Sequence, residues 1–239
     1  AYNHISGGVV AAVSAARAAD VAVLTLGLPG NHSGETSSMT SVELPQAQKE
    51  LLSAVKATGK PVVVLLVTGR PMALESVDQL MDALLVVWHP GTAGGDALAD
   101  LLSGDYSPSG HLTMSFPRCD GQIPIRYNYK STGRPLTKEM DYTQSHKAKK
   151  NYQTCYLFTP NSPLYPFGYG LSYTQFSFTD LQVLDPEVAM GEDVRVKVRV
   201  TNVGEVPGTT VAQLYIRDKV ASTTRPVREL KGFERISLE

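Results

Sequence analysis

The chain has 239 residues, 42% of them hydrophobic and 19% charged, enough to bury one large core or two modest ones. Its 22 Lys and Arg are scattered among 23 Asp and Glu for a formal net charge of -1, with no basic stripe, so neither a nucleic acid nor an anionic membrane surface is an expected partner. The longest apolar stretches, at 61–67 and 83–88, are of strand length and far too short to span a bilayer.

In chain order, residues 1–20 lack the charged start and apolar centre of a signal peptide. Val9, Val10, Val13 and Ala16 recur at helical spacing there, predicting a helix with no strand before it. Residues 21–26 read as a buried strand. A helix follows from Pro45, with Leu51, Leu52 and Val55 on its apolar face and Gly59 as its stop. The pattern then predicts a strand at 61–67, a weak helix at 72–81, a strand at 83–88, a helix from Gly94 to Leu102 ending near Gly104, and a strand from His111 to Phe116. Unbroken apolar strands alternating with helices indicate an α/β fold, a three-layer sandwich around a mostly parallel sheet, over residues 1–117.

Residues 118–174 have few apolar periods and turn dipeptides such as Asp120-Gly121, which reads as a long surface excursion and linker. Beyond it the period changes to two. Val194, Val196, Val198 and Val200 alternate with polar residues, and Ala212, Leu214 and Ile216 repeat the pattern, predicting a small antiparallel β-sandwich over 175–239. Roughly four strands are countable against the ~7 of an immunoglobulin-like sandwich, and the α/β part opens on a helix, so both ends read as truncated.

Cys119 and Cys155 flank a polar loop and are compatible with one disulfide or with two free thiols. Neither has a second Cys or a His at close spacing, so no metal site is expected. The turn Gly91 to Gly95 lacks both the dinucleotide spacing and a phosphate-binding Lys; close packing of helix on strand is its expected role, and a nucleotide-binding α/β protein is the reading it leaves behind. Trp88 and His89 end a strand and read as a structural pair or as sugar contacts. The Tyr-rich tract at 165–173 reads as a packed linker, with a sugar-stacking surface as the alternative. Asn31-His32-Ser33 matches a glycosylation sequon.

One loop carries chemistry. Ser33-Gly34-Glu35-Thr36-Ser37-Ser38 follows the first strand, and a carboxylate on a Gly- and Ser-rich loop at the carboxyl end of a strand can reach a ligand. Glu35 is the candidate catalytic acid, with a solvated loop carboxylate as its plain alternative. Glu43 lies against a helix start, where it favours the dipole instead. No second carboxylate offers an equally good partner, so the loop reads as half of an active site.

The segments Leu44-Pro45-Gln46-Ala47-Gln48, Thr68-Gly69-Arg70-Pro71, Pro90-Gly91-Thr92-Ala93-Gly94-Gly95, Gly104-Asp105-Tyr106-Ser107-Pro108-Ser109-Gly110, the run YPFGYGLSYT at 165–174 and Arg225 to Phe233 together resemble family 3 glycoside hydrolases, above all the bacterial periplasmic β-glucosidases. The resemblance covers almost the whole chain in order. It implies an α/β sandwich domain and a fibronectin type III-like domain that follow a (β/α)8 barrel absent from this chain. It also implies a retaining enzyme with its nucleophile Asp on the barrel and its general acid/base on the α/β sandwich, where the register from Gly27 to Pro45 places Glu35. Such enzymes hold two carboxyl groups about 5 to 5.5 Å apart, and division between domains puts the sugar at their interface.

The implied protein is an exo-acting β-glucosidase or β-xylosidase, periplasmic or secreted, acting on β-linked oligosaccharides or aryl glycosides, with the barrel as partner and no cofactor. Alone, this chain is expected to be inactive. A catalytically silent accessory or carbohydrate-binding piece is the alternative. Leu28 and Met39 depart from the family pattern, in which many members carry an acidic residue and an Arg at these places.

Overall fold

The computed structural model describes residues 5–36, 38–135 and 152–239. Three strands, β1 (Ala22–Gly27), β2 (Val62–Val67) and β3 (Ala83–Val86), form a parallel sheet in the order β1-β2-β3. Their register pairs Ala22 with Val62 and Gly27 with Val67, so β1 and β2 end level with each other. The α/β fold expected from unbroken apolar strands is present.

Helices α1 (Ile5–Ala18) and α2 (Gln46–Lys56) pack together, and α2 lies against β1. Pro45 serves as the N-cap of α2 rather than its first helical residue. Leu52 and Val55 turn fully into the core, and the helix closes through Gly59, whose φ of +78° suits glycine. Helix α3 (Gly94–Ser103) ends as expected on Gly104 at φ +87°.

One face of the sheet, bearing Ala22, Leu26, Val62, Val64 and Leu66, meets Ala16, Leu52 and Val55 in a single buried cluster that also contains Leu28, Met72, Leu74 and Phe116. Removing a large aliphatic side chain from such a core costs about 2 to 5 kcal/mol. On the opposite face Val23 is 47% exposed.

Three expectations are corrected. Residues 72–81 are not a helix: Met72, Ala73 and Leu74 are buried in irregular backbone bridged to Glu43, and only Asp78–Leu80 form a short 3-10 turn. Their apolar spacing reflects points of contact with the core, not a helical period.

Residues 111–116 do not add a strand to the parallel sheet. They pair with the Tyr-rich tract instead, through Leu112 N to Tyr169 O at 2.8 Å and Phe116 N to Tyr165 O at 2.8 Å. The stretch from 118 to 163 is not wholly superficial either. Gln122 is fully buried, its Nε2 donating to Pro160 O at 2.7 Å and its Oε1 accepting from Arg118 N at 2.7 Å. Residues 136–151 lie outside the described residues.

Four antiparallel strands follow in two pairs, β4 (Phe176–Val183) with β5 (Val196–Asn202) and β6 (Gly208–Ile216) with β7 (Glu229–Leu238). The Tyr-rich tract joins them to the α/β part as a packed connection. Phe167 stacks on Tyr127 at 4.1 Å, Tyr165 stacks on Tyr169 at 5.7 Å, and Tyr215 of β6 meets Tyr127 edge-on at 6.0 Å. Gly168 and Gly170 are required there: the first stands at φ +81°, and a Cβ on the second would fall 2.4 Å from the backbone oxygen of Gly110. Cys119 and Cys155 are both free thiols. Among the described residues no helix is long and apolar enough to cross a membrane.

Candidate active site

The candidate site lies where the carboxyl ends of the parallel strands converge, the usual ligand-binding edge of such sheets. β1 ends at Gly27 with φ +137°, and a Cβ there would sit 1.8 Å from Val67 O. Only glycine lets the chain leave the sheet at this point. The side chain of Gln48, on α2, holds both backbone polar atoms of Gly27, and Leu28 N donates to Val67 O at 3.0 Å.

Two apolar side chains pin the loop that follows. Leu28 is buried at 7% exposure, and Met39 packs on the same core from the loop's other end. Leu28 and Met39 therefore anchor the loop by burial rather than by charge.

Between these anchors the backbone runs over the surface. Pro29 is extended, Gly30–His32 form a 3-10 turn closed by His32 N to Pro29 O at 2.8 Å, Ser33 is extended, and Gly34 at φ +140° turns the chain into Glu35 and Thr36. Glu35 is exposed and makes no hydrogen bond or ion pair among the described residues. Its sequence neighbour Glu43 is occupied, since Oε2 pairs with Lys49 Nζ at 2.6 Å. Glu75 likewise pairs with Arg118 at 2.7 Å.

The ends of β2 and β3 close on this loop. Thr68 Oγ1 donates to Arg70 O at 2.8 Å and accepts from Arg70 N at 3.2 Å, making a self-contained turn that presents the Arg70 side chain. Arg70 Nη2 donates to His32 O at 2.9 Å. A Cβ on Gly69 would lie 2.9 Å from His89 Nε2 and 3.4 Å from Ser33 Oγ, so the loop and the ends of β2 and β3 come close together at this glycine.

Trp88 sits at φ +55°, an uncommon conformation for an aromatic residue, and its ring meets Phe116 edge-on at 5.9 Å. Trp88 is thus a structural contact, whereas His89 is exposed beside the loop. At the start of α3, Gly94 is buried with Pro90 Cβ 2.5 Å from where its own Cβ would be, so packing accounts for this glycine, whereas Gly91 stands at φ +72° and Gly95 has open space about it.

Sequence reasoning singled out Glu35 and passed over Arg70, which stood out solely within Thr68-Gly69-Arg70-Pro71. The available signal was an Arg directly after a buried strand and its glycine. Its partner is a backbone carbonyl, which no residue pattern marks.

The model of the glycosyl hydrolase family 3 C-terminal domain matches residues 6–173, and that of a fibronectin type III-like domain matches residues 210–239. The chain belongs to glycosyl hydrolase family 3. Among family 3 relatives, the periplasmic β-glucosidase of Salmonella typhimurium is 48% identical over 95% of this chain and 29% of its own length. A β-xylosidase of Formosa agariphila is 40% identical over 95% of the chain and 30% of its own length. The crystal structure of β-glucosidase from Listeria innocua in complex with glucose superposes with a TM-score of 0.89 at 42% identity, over 98% of this chain and 31% of that one. The chain thus spans under a third of the length of these family 3 proteins.

Proposed function

We propose that the chain is the acid-bearing portion of a retaining, exo-acting β-glycosidase of β-glucosidase type, with Glu35 as general acid/base. The observation that carries this reading is an exposed, unpartnered carboxylate on the loop at the carboxyl edge of the parallel sheet of a family 3 chain. A nucleophilic Asp on a (β/α)8 barrel domain completes the pair, and the terminal β-linked sugar of an oligosaccharide or aryl glycoside lies between the two. Glu35 gives its proton to the leaving oxygen as the barrel carboxylate attacks the anomeric carbon. It then takes a proton from the water that releases the sugar. By likeness to the Salmonella protein, the working compartment is the periplasm or the exterior. The chain alone holds one of the two carboxyl groups and turns over no substrate.

The test uses the enzyme in which this chain follows a barrel domain. Glu35→Gln lowers kcat/KM for cellobiose by about 10² to 10⁴, the usual contribution of general acid catalysis, and spares dinitrophenyl glucoside, whose leaving group needs no proton. Azide restores turnover in Glu35→Ala by forming the glycosyl azide of retained configuration. Undiminished cellobiose hydrolysis by Glu35→Gln would remove Glu35 from the role.

A further inference from the structure

Between its apolar anchors Leu28 and Met39, the loop that carries Glu35 makes few hydrogen bonds to the rest of the chain. Among the described residues, one hydrogen bond from elsewhere in the chain reaches 29–36, that of Arg70 Nη2 to His32 O at 2.9 Å. The loop's other bonds are local, from His32 N to Pro29 O and from Ser33 N to Gly30 O. Two of its polar side-chain atoms, His32 Nδ1 and Ser33 Oγ, are buried without a hydrogen-bond partner in the chain, so they give the loop no second latch. The carbonyl that Arg70 grips is three residues before Glu35, with Gly34 at φ +140° between them.

We propose that Arg70 is a positioning residue: its guanidinium latches the 3-10 turn Gly30–His32 to the end of β2 and thereby sets where the Glu35 carboxyl stands relative to the leaving oxygen. The inference rests on the acid/base reading of Glu35. Arg70 suits the task because its own backbone is fixed by Thr68 and not by the latch, so losing the side chain leaves the turn at 68–70 intact. A reacting group misplaced by about 1 Å can lose about 100-fold in rate, which is the effect expected of releasing the latch.

The experiment has two arms. In the 239-residue chain, hydrogen exchange of the amides of residues 32–34 accelerates in Arg70→Gln, is intermediate in Arg70→Lys, and is unchanged at the buried strands. In the enzyme with its barrel domain, Arg70→Gln loses about 100-fold in kcat/KM on cellobiose and far less on dinitrophenyl glucoside. It adds no further loss in a Glu35→Gln background.

Unchanged exchange at 32–34, equal losses on both substrates, or losses that multiply with those of Glu35→Gln would each overturn the inference. If Glu35→Gln itself shows no dependence on the leaving group, the acid reading fails while the exchange arm still judges the latch. Should Arg70→Gln not fold, Arg70→Lys carries both arms, since a flexible ammonium replaces the planar fork with a single adaptable donor.

Discussion

Gln48 grips Gly27 at both of its backbone polar atoms: Oε1 accepts from Gly27 N at 2.9 Å and Nε2 donates to Gly27 O at 2.8 Å. Gly27 is the last residue of β1, still in register with Val67, and the candidate acid loop begins after it. A side chain on a helix thus satisfies the two backbone groups of Gly27 that β2 does not.

Gln48→Ala should therefore destabilise the chain by about 2 kcal/mol, because two partly buried backbone groups lose their partners together. Gln48→Glu should recover little of this, since a carboxylate still accepts from Gly27 N but cannot donate to Gly27 O. Urea unfolding of the two variants beside the parent measures the loss, and a stability unchanged in Gln48→Ala would contradict it.

Acid sensitivity should depend on Asp82. Its carboxyl is held below the ordinary value of 3.8, first by the hydrogen bond from Lys56 and then by that from Val62 N. A lowered carboxyl contributes stability that is present above the unfolded value and is lost as pH falls through the folded one. The melting temperature of the parent should thus fall more steeply than that of Asp82→Asn as pH drops below about 4. Parallel curves for the two proteins would remove Asp82 from the account.

The contact between β7 and the α/β part should be readable in one phenol. Arg235 Nη2 donates to Tyr106 OH at 2.7 Å and to Ser109 Oγ at 3.2 Å. Tyr106 is held below its ordinary value of 10.0, mainly by the hydrogen bond with Ser109 and next by Arg235. Arg235→Ala should shift its titration upward, as followed by ultraviolet absorbance against a Tyr106→Phe control. In the parent the unfolded chain binds the extra proton between the lowered value and the ordinary one, so stability rises with pH across that window. The rise should be smaller in Arg235→Ala, and an unmoved phenol titration would show that Arg235 does not reach Tyr106 in solution.

Much of the fold was legible because some residues answer to local physics. β2 is an unbroken apolar run, β1 is one interrupted by Thr25, and α2 carries Leu52 and Val55 at helical spacing before a glycine that can adopt positive φ. Strict alternation marked β5, and Ala212, Leu214 and Ile216 at a period of two marked β6. Local reading failed where the partner was remote. Met72 and Leu74 are spaced for burial against other elements, and residues 111–116 satisfy their backbone with Tyr165 and Tyr169, some fifty residues on. The exposed loop position of Glu35 was legible, and the contact of Arg70 with His32 O was not.

The sequence by itself determined the α/β and antiparallel character of the two parts, the family, and the choice of Glu35 as the acid to test, since periodicity and motifs are properties of neighbouring residues. Only the tertiary structure decided that Glu43 is taken by Lys49, that Leu28 and Met39 anchor the loop by burial, and that Arg70 reaches His32 O. Those facts depend on which chain ends meet at the edge of the sheet. A carbonyl oxygen or a gap the width of one Cβ has no signature in residue order, because the fold creates it only when β1, β2 and β3 end side by side.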